Sequence, residues 1–126
     1  GLRARARVVD FVVVGVDPLM MGLGPVPAIR ELLRRQKKSV AEIDLFELNE
    51  AFASQAVACL RELHLPADKV NVAGGAIALG HPLGCTGTRL VATLLNQLER
   101  VDGEWGVVSM CIGHGQGIAT LIQRVS

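Results

Sequence analysis

The chain has 126 residues, of which 50% are hydrophobic and 20% are charged, and its formal net charge is +1. This is the size of one ordinary domain with its own core, and so small a charge gives no reason to expect nucleic acid or a membrane surface as a partner. No apolar run reaches membrane-spanning length, and three cysteines, an odd count, fit a reducing compartment better than a disulfide framework.

Strand and helix signals alternate along the first half of the chain. The run FVVVGV at 11–16 is short and continuous, as a buried parallel strand would be. Beyond a turn-rich loop, apolar residues at helical spacing predict a helix that begins near Pro27. These residues are Val26, Ile29, Leu32 and Leu33. The segment IDLFEL at 43–48 then predicts a second strand.

The second half continues the alternation. We predict helices from Glu50 to about Leu63 and from Gly84 or Cys85 to about Arg100, because both stretches repeat apolar residues at helical spacing. Further strands are predicted for VNVAGG, WGVVSMC and GIATLIQRV, and GHGQG is short enough for a hairpin-like return between the last two. The order βαβαβαββ predicts an α/β fold with an open, mostly parallel, five-stranded sheet, helices on both faces and a final antiparallel strand.

Three residues with reactive or polar side chains follow predicted strands. Asn49 follows the second, His81 lies in the glycine-rich loop after the third, and Cys111 ends the fourth. Ligands of open α/β sheets collect beyond the carboxyl ends of the parallel strands, so an amide, an imidazole and a thiol can meet there. Each residue also has a structural interpretation: a helix cap for Asn49, a hydrogen-bonded loop histidine, and an inert core thiol.

Short Cys/His spacings raise the question of a metal. The pairs are Cys59 with His64, His81 with Cys85, and Cys111 with His114. Structural zinc sites usually show tighter knuckles such as C-x-x-C, so we predict no metal. The stretch GHPLGCTGT also lacks the Lys-Ser or Lys-Thr step of a phosphate-binding P-loop.

Three motifs occur in a specific order: NEAFA at 49–53, GGAIALGHPLGCTGTR at 74–89 and CIGHGQGIA at 111–119. In these motifs the chain resembles the C-terminal domain of a thiolase, and more closely that of a degradative 3-ketoacyl-CoA thiolase of fatty-acid β-oxidation. The resemblance runs over nearly the whole chain. It implies a fold of two similar βαβαβαββ halves stacked as five layers, in which residues 1–126 form the C-terminal domain.

The resemblance also implies roles for individual residues. His81 matches the histidine that polarises the thioester oxygen, and Asn49 matches the asparagine that helps it, usually through water. Cys111 matches the second reactive cysteine, the general acid and base, and Gly113 matches a glycine whose N–H contributes to a second oxyanion hole. We expect Phe52 and Met21 to contact coenzyme A, which is a co-substrate and not a permanently bound cofactor.

The nucleophilic cysteine of that family lies in its N-terminal half. None of Cys59, Cys85 or Cys111 has that motif, so we expect this chain alone to be inactive and to need the N-terminal half, as part of a homo-oligomer. The expected location is the bacterial cytoplasm, or peroxisomes or mitochondria in a eukaryote. A biosynthetic acetoacetyl-CoA thiolase and a catalytically incomplete α/β interaction domain remain the alternatives.

Two features depart from the usual pattern of the resembled family. His114 stands where many members carry glycine, and Cys85 and Thr88 replace small residues of the loop. The broad apolar face predicted for the helix that ends near Arg100 would lie between the two halves of such a fold. We therefore expect that helix to expose an apolar patch on this domain.

Overall fold

A computed structural model describes residues 1–125 of the chain. The strands are β1 (Ala6–Gly15), β2 (Leu45–Leu48), β3 (Trp105–Ile112) and β4 (Gln116–Arg124). The α-helices are α1 (Pro25–Arg35), α2 (Ala53–Leu63), α3 (Ala76–Leu79) and α4 (Leu83–Val101). Short 3-10 helices lie at Pro18–Leu23, Val40–Glu42 and Ala67–Lys69.

One sheet holds all four strands, in the order β1-β4-β3-β2. Only β2 and β3 run parallel, whereas β4 pairs antiparallel with both β1 and β3. The α/β class with helices on both faces is confirmed, because α1 and α2 cover one face and α4 covers part of the other. The prediction of five mostly parallel strands is wrong: within residues 1–125 the sheet has four strands and is mixed.

The predicted strand VNVAGG is replaced by a single bridge and one side chain. Val70 makes an isolated parallel bridge with Phe46, and the next residue, Asn71, has a φ of +49°, which ends extended backbone. The Asn71 side chain then accepts a hydrogen bond from the Leu48 N–H at 2.9 Å and donates one to the Leu48 carbonyl at 2.8 Å. A side-chain amide thus supplies the pairing that a longer strand would have given.

The first strand lies where it was predicted but is not a buried parallel strand. It is an edge strand, antiparallel to β4, and only one of its faces packs in the core. Val12 is 2% exposed, whereas its neighbours Phe11 and Val13 are 61% and 51% exposed. An apolar run does not reveal whether its second face is covered, and here the described residues leave that face open.

Two apolar clusters flank the sheet. The larger joins α1 and α2 to one face and includes Phe46, while the smaller is formed by Leu90, Leu94 and Leu98 of α4 against the other face. These three leucines belong to the broad apolar face predicted for α4. The other two residues of that predicted face, Val91 and Leu95, are only partly buried.

The start of β4 lies directly against the start of α1. Gly117 of β4 and Gly24 before α1 approach so closely that a Cβ on either would collide with backbone atoms of the other segment. Gly117 also pairs with Cys111 across β3 and β4, so this contact sets the Pro18–Leu23 segment beside the end of β3.

We expect Gly117→Ala to destabilise a protein that carries this chain by roughly 3 kcal/mol, because the clash involves backbone that cannot rotate away. The measurement is the urea midpoint of unfolding at constant m-value. Gly84→Ala is the matched control, since a Cβ there meets no atom within 4 Å. Equal midpoints for both variants would show that the two segments are not packed as described.

Candidate active site

The parallel pairing of β2 and β3 places Asn49 beside the end of β3. Leu48 is in register with Ser109, and the Asn49 N–H donates to the Ser109 carbonyl at 2.9 Å. Asn49 is fully buried, and Cys111 lies two residues beyond Ser109 on the neighbouring strand. The carboxyl ends of these two strands therefore meet at one edge, as expected for parallel strands.

Asn49 is not the helix cap that its position suggested. Helix α2 begins at Ala53, and its cap residue is Phe52, which makes no side-chain capping bond. The Asn49 Nδ2 instead lies 3.3 Å from the His81 Nε2. Asn49 lies at the buried end of β2, one turn before α2 begins. Its side-chain amide therefore contacts the His81 imidazole and not the N-terminus of the helix.

Glu50 fixes the loop that leads to His81. One oxygen of its carboxylate accepts a hydrogen bond from Asn71 Nδ2 at 3.2 Å, and the other accepts from the Ile77 N–H at 3.0 Å, in the first turn of α3. A Cβ at Gly75 would lie 2.5 Å from the Glu50 carboxylate, so any larger residue there would displace that carboxylate from its two hydrogen bonds. Sequence reasoning missed this role, although Glu50 adjoins Asn49 in the motif NEAFA.

A second glycine turns the chain between α3 and α4. Gly80 has a φ of +91°, a conformation that favours glycine, and it ends α3 directly before His81. His81 is partly buried and Pro82 is the cap residue of α4. The glycines of this loop are therefore explained by a close approach to a carboxylate and by a reversal of the chain.

A cavity of about 510 Å³ opens at the joined strand ends. Three of the predicted catalytic residues line it, namely His81, Cys111 and Gly113, and both predicted CoA contacts, Met21 and Phe52, lie in its wall. The remaining lining residues are Ala51, Leu83, Met110 and Ile112. Asn49 is behind this wall, in contact with His81.

His114 lies outside the cavity lining, in the turn between β3 and β4. It is exposed and has a φ of +65°, and Gly115 follows with a φ of +89°. A positive φ is unfavourable for a residue that has a Cβ, so glycine would adopt this backbone conformation with less strain than histidine. Among residues 1–125 no group of three or more His, Cys, Asp or Glu side chains could hold a metal ion, and no helix is long and apolar enough to cross a membrane.

Comparison with known proteins decides the family. The model of the family described as "Thiolase, C-terminal domain" matches residues 2–124. The chain belongs to the thiolase family. A 3-ketoacyl-CoA thiolase of Serratia proteamaculans is 58% identical over 99% of this chain, and one of Erwinia tasmaniensis is 56% identical over the same share. The chain spans 33% of the length of each of these relatives.

Solved thiolase structures have the same fold. The human mitochondrial 3-ketoacyl-CoA thiolase in complex with CoA matches with a TM-score of 0.93 and 52% identity, over 96% of this chain and 31% of that one. The Bacillus anthracis acetyl-CoA acetyltransferase matches with a TM-score of 0.96 and 47% identity, over 98% of this chain and 32% of that one.

The three cysteines of this thiolase chain lie in different surroundings. Cys59 is buried, Cys85 is exposed and Cys111 is partly buried at the cavity. Burial raises the pKa of the Cys111 thiol above its usual value. The described residues therefore keep Cys111 as a neutral thiol at pH 7, the form that can donate a proton.

We expect alkylation of Cys111 by iodoacetamide to keep accelerating above pH 9, because a raised pKa leaves little thiolate below that pH. The measurement is peptide mass spectrometry of a thiolase that carries this chain, with exposed Cys85 reporting reagent reactivity in each sample. A labelling rate for Cys111 that levels off below pH 8 would contradict this description of its surroundings.

Proposed function

We propose that this chain forms the C-terminal half of the active site of a 3-ketoacyl-CoA thiolase. The full enzyme would cleave a 3-ketoacyl-CoA with coenzyme A into acetyl-CoA and a shortened acyl-CoA, in fatty-acid β-oxidation. The observation that carries the proposal is that His81, Cys111 and Gly113 line the same cavity, and that Asn49 contacts the His81 ring from behind the cavity wall. The names of the bacterial relatives support the same reaction.

The proposed roles follow from the chemistry of the cleavage. Breaking the carbon–carbon bond releases acetyl-CoA as an enolate, so hydrogen-bond donors must stabilise charge on the oxygen. His81, held by Asn49, would serve one oxygen, and the N–H of Gly113 would serve another. Cys111 would move the proton at the α-carbon and at the CoA sulfur, which requires a thiol beside those atoms.

Coenzyme A is the proposed co-substrate. Met21 and Phe52 give the cavity an apolar side, and Phe52 is 67% exposed, so its ring is available to a ligand. An apolar wall with few polar groups suits the pantetheine arm of CoA. The human relative whose structure holds CoA supports this assignment.

The open face of the sheet is the proposed contact for an N-terminal half. Val8, Phe11 and Val13 of β1 are 65%, 61% and 51% exposed, on the same side of the sheet as α4. On α4, Val91 and Leu95 of the predicted apolar face are only partly buried, so they add to the same open surface. A contiguous apolar surface indicates an interface, and the relatives are about three times as long as this chain. We propose a homo-oligomer of such full-length chains.

A biosynthetic acetoacetyl-CoA thiolase is the second candidate. The observation that favours it is the TM-score of 0.96 with the acetyl-CoA acetyltransferase of Bacillus anthracis. The higher identity to 3-ketoacyl-CoA thiolases, 58% against 47%, favours the degradative enzyme. We propose a location in the bacterial cytoplasm, because both of these relatives are bacterial.

The experiment is deuterium exchange into the methyl group of acetyl-CoA by a thiolase that carries this chain. We expect Cys111→Ser to abolish exchange, because a serine hydroxyl gives up its proton far less readily than a thiol, even one whose pKa is raised by burial, while the nucleophilic cysteine of the enzyme can still be alkylated by iodoacetamide. Cys85→Ser is the matched control, since Cys85 is exposed and lies outside the cavity lining. Exchange by Cys111→Ser at near the wild-type rate would overturn the proposed role.

A further inference from the structure

Glu50 follows Asn49 in the chain but does not line the cavity that holds His81. It lines a separate cavity of about 220 Å³ beside α2, together with Asn71 and Ile77. The Glu50 carboxylate is therefore not placed to touch a substrate in the catalytic cavity. A role for Glu50 in the reaction must act through the residues that it binds.

Asn71 fastens the segment after Val70 to strand β2. Its backbone N–H donates to the Phe46 carbonyl at 2.9 Å, and its side-chain amide bonds both the N–H and the carbonyl of Leu48. The orientation of that amide is fixed, because the Leu48 N–H can only donate to the amide oxygen. The Asn71 carbonyl accepts from the Gly74 N–H at 2.8 Å, which closes a turn. Asn71 is thus a fixed point, with three hydrogen bonds to β2.

The Glu50 carboxylate joins this fixed point to α3. One of its oxygens accepts from Asn71 Nδ2 at 3.2 Å, and the other accepts from the Ile77 N–H at 3.0 Å. Helix α3 has only four residues, too few for a helix that is stable by itself, and its cap residue Gly75 has no side chain to bond the first N–H groups. The carboxylate supplies such a bond from outside the helix.

Helix α3 leads directly to the histidine of the site. It ends at Leu79, and Gly80 then turns the chain into His81. The His81 ring lies 3.3 Å from the Asn49 amide, so a shift of the loop by about 0.5 Å would end that contact. Asn49 contacts the ring and Glu50 holds the loop, so two neighbouring residues fix His81 from two sides.

A carboxylate satisfies both contacts of Glu50, and an amide would not. Asn71 Nδ2 and the Ile77 N–H both donate, and an ionised carboxylate only accepts. A glutamine of nearly the same shape would present its own N–H₂ to one of these donors. One hydrogen bond would then be lost, and two donors would face each other.

We propose that Glu50 is a positioning residue that, bonded to Asn71, sets the placement of His81 through α3. This inference deepens the proposed function, and its kinetic consequence rests on that function. Glu50 acts on the reaction through His81 alone. Cys111 and Gly113 lie at the end of β3 and just beyond it, where neither of the two hydrogen bonds of the carboxylate leads.

The first measurement is structural and needs no assumption about the reaction. In a crystal structure of Glu50→Gln, in a thiolase that carries this chain and in the crystal form of the wild type, we expect the distance from Asn49 Nδ2 to His81 Nε2 to exceed about 3.5 Å. Glu62→Gln is the matched control, because Glu62 is an exposed glutamate of α2, and it should leave this contact as in the wild type. A contact that is unchanged in Glu50→Gln would overturn the inference.

The second measurement is the rate of thiolysis. We expect Glu50→Gln to lower kcat by roughly tenfold or more and to change KM for CoA little, because a hydrogen-bonding group is displaced while the apolar wall is kept. In a His81→Ala background the same substitution should change kcat by less than about twofold, since the residue that it positions is gone. An equal fall in both backgrounds would contradict the inference, because Glu50 would then act independently of His81.

Asn71→Gly tests the same contact from the other side. Glycine readily adopts the φ of +49° that Asn71 has, so the turn can form while the amide that bonds Glu50 is removed. We expect the same displacement of His81 as in Glu50→Gln. A His81 ring in its wild-type place in this variant would show that the carboxylate does not need Asn71, contrary to the inference.

The two measurements separate this inference from the proposed reaction. If the wild-type enzyme showed no thiolysis, the proposed function would fail, and the crystal structures would still test the placement of His81. If His81 moves as expected while Cys111→Ser still exchanges deuterium, the role of Glu50 is supported and the proposed role of Cys111 fails.

Discussion

The buried Asn49 side chain is the contact on which the site depends. Its backbone ties the end of β2 to β3, and its amide reaches the His81 ring at 3.3 Å. One residue therefore links a strand end, the neighbouring strand that carries Cys111, and a loop that is distant in sequence. An amide at 0% exposure has no water to turn toward, so its protein partners decide its orientation.

Other parts of the chain keep the His81 loop within reach of that amide. Glu50 bonds Asn71 and Ile77, and the absence of a side chain at Gly75 lets the carboxylate sit against the loop. Thr86 contacts the ring from the opposite side, from the first turn of α4. Both ring nitrogens of His81 therefore contact a protein side chain. These contacts fix the direction of the imidazole before substrate arrives.

The cavity joins this rigid arrangement to more exposed groups. Cys111 and Gly113 lie at the end of β3 and beyond it, and Met21 is brought to them by the close packing of Gly24 on Gly117. Burial favours the neutral form of the Cys111 thiol. The polar and apolar sides of the cavity therefore have separate structural origins, one in the Asn49–His81 contact and one in the backbone contact at β4.

Sequence patterns could predict the class of fold, the three longer helices and the meeting of Asn49, His81 and Cys111, because apolar periodicity and strand ends are local features. The other predicted residues of the cavity, Gly113, Met21 and Phe52, came from the family resemblance and not from these patterns. They could not predict the direction of β1, since an apolar run reads the same whether one face or two are covered. The replacement of the third strand by the Asn71 side chain needs a tertiary contact with Leu48, and so does the use of Asn49 as a partner of His81 rather than as a helix cap. The Thr86 contact could not be predicted either, because it depends on how Pro82 aims the first turn of α4.

The central claim is that Asn49 and His81 act as one unit, and a double-mutant cycle in a thiolase that carries this chain tests it most directly. The measurement is kcat/KM for Asn49→Ala, His81→Ala and the double variant. The account predicts that the double variant is little slower than the slower single variant, with a coupling energy of about 1 kcal/mol or more. Effects that add to within about 0.5 kcal/mol would contradict it, because residues that do not share an interaction behave independently.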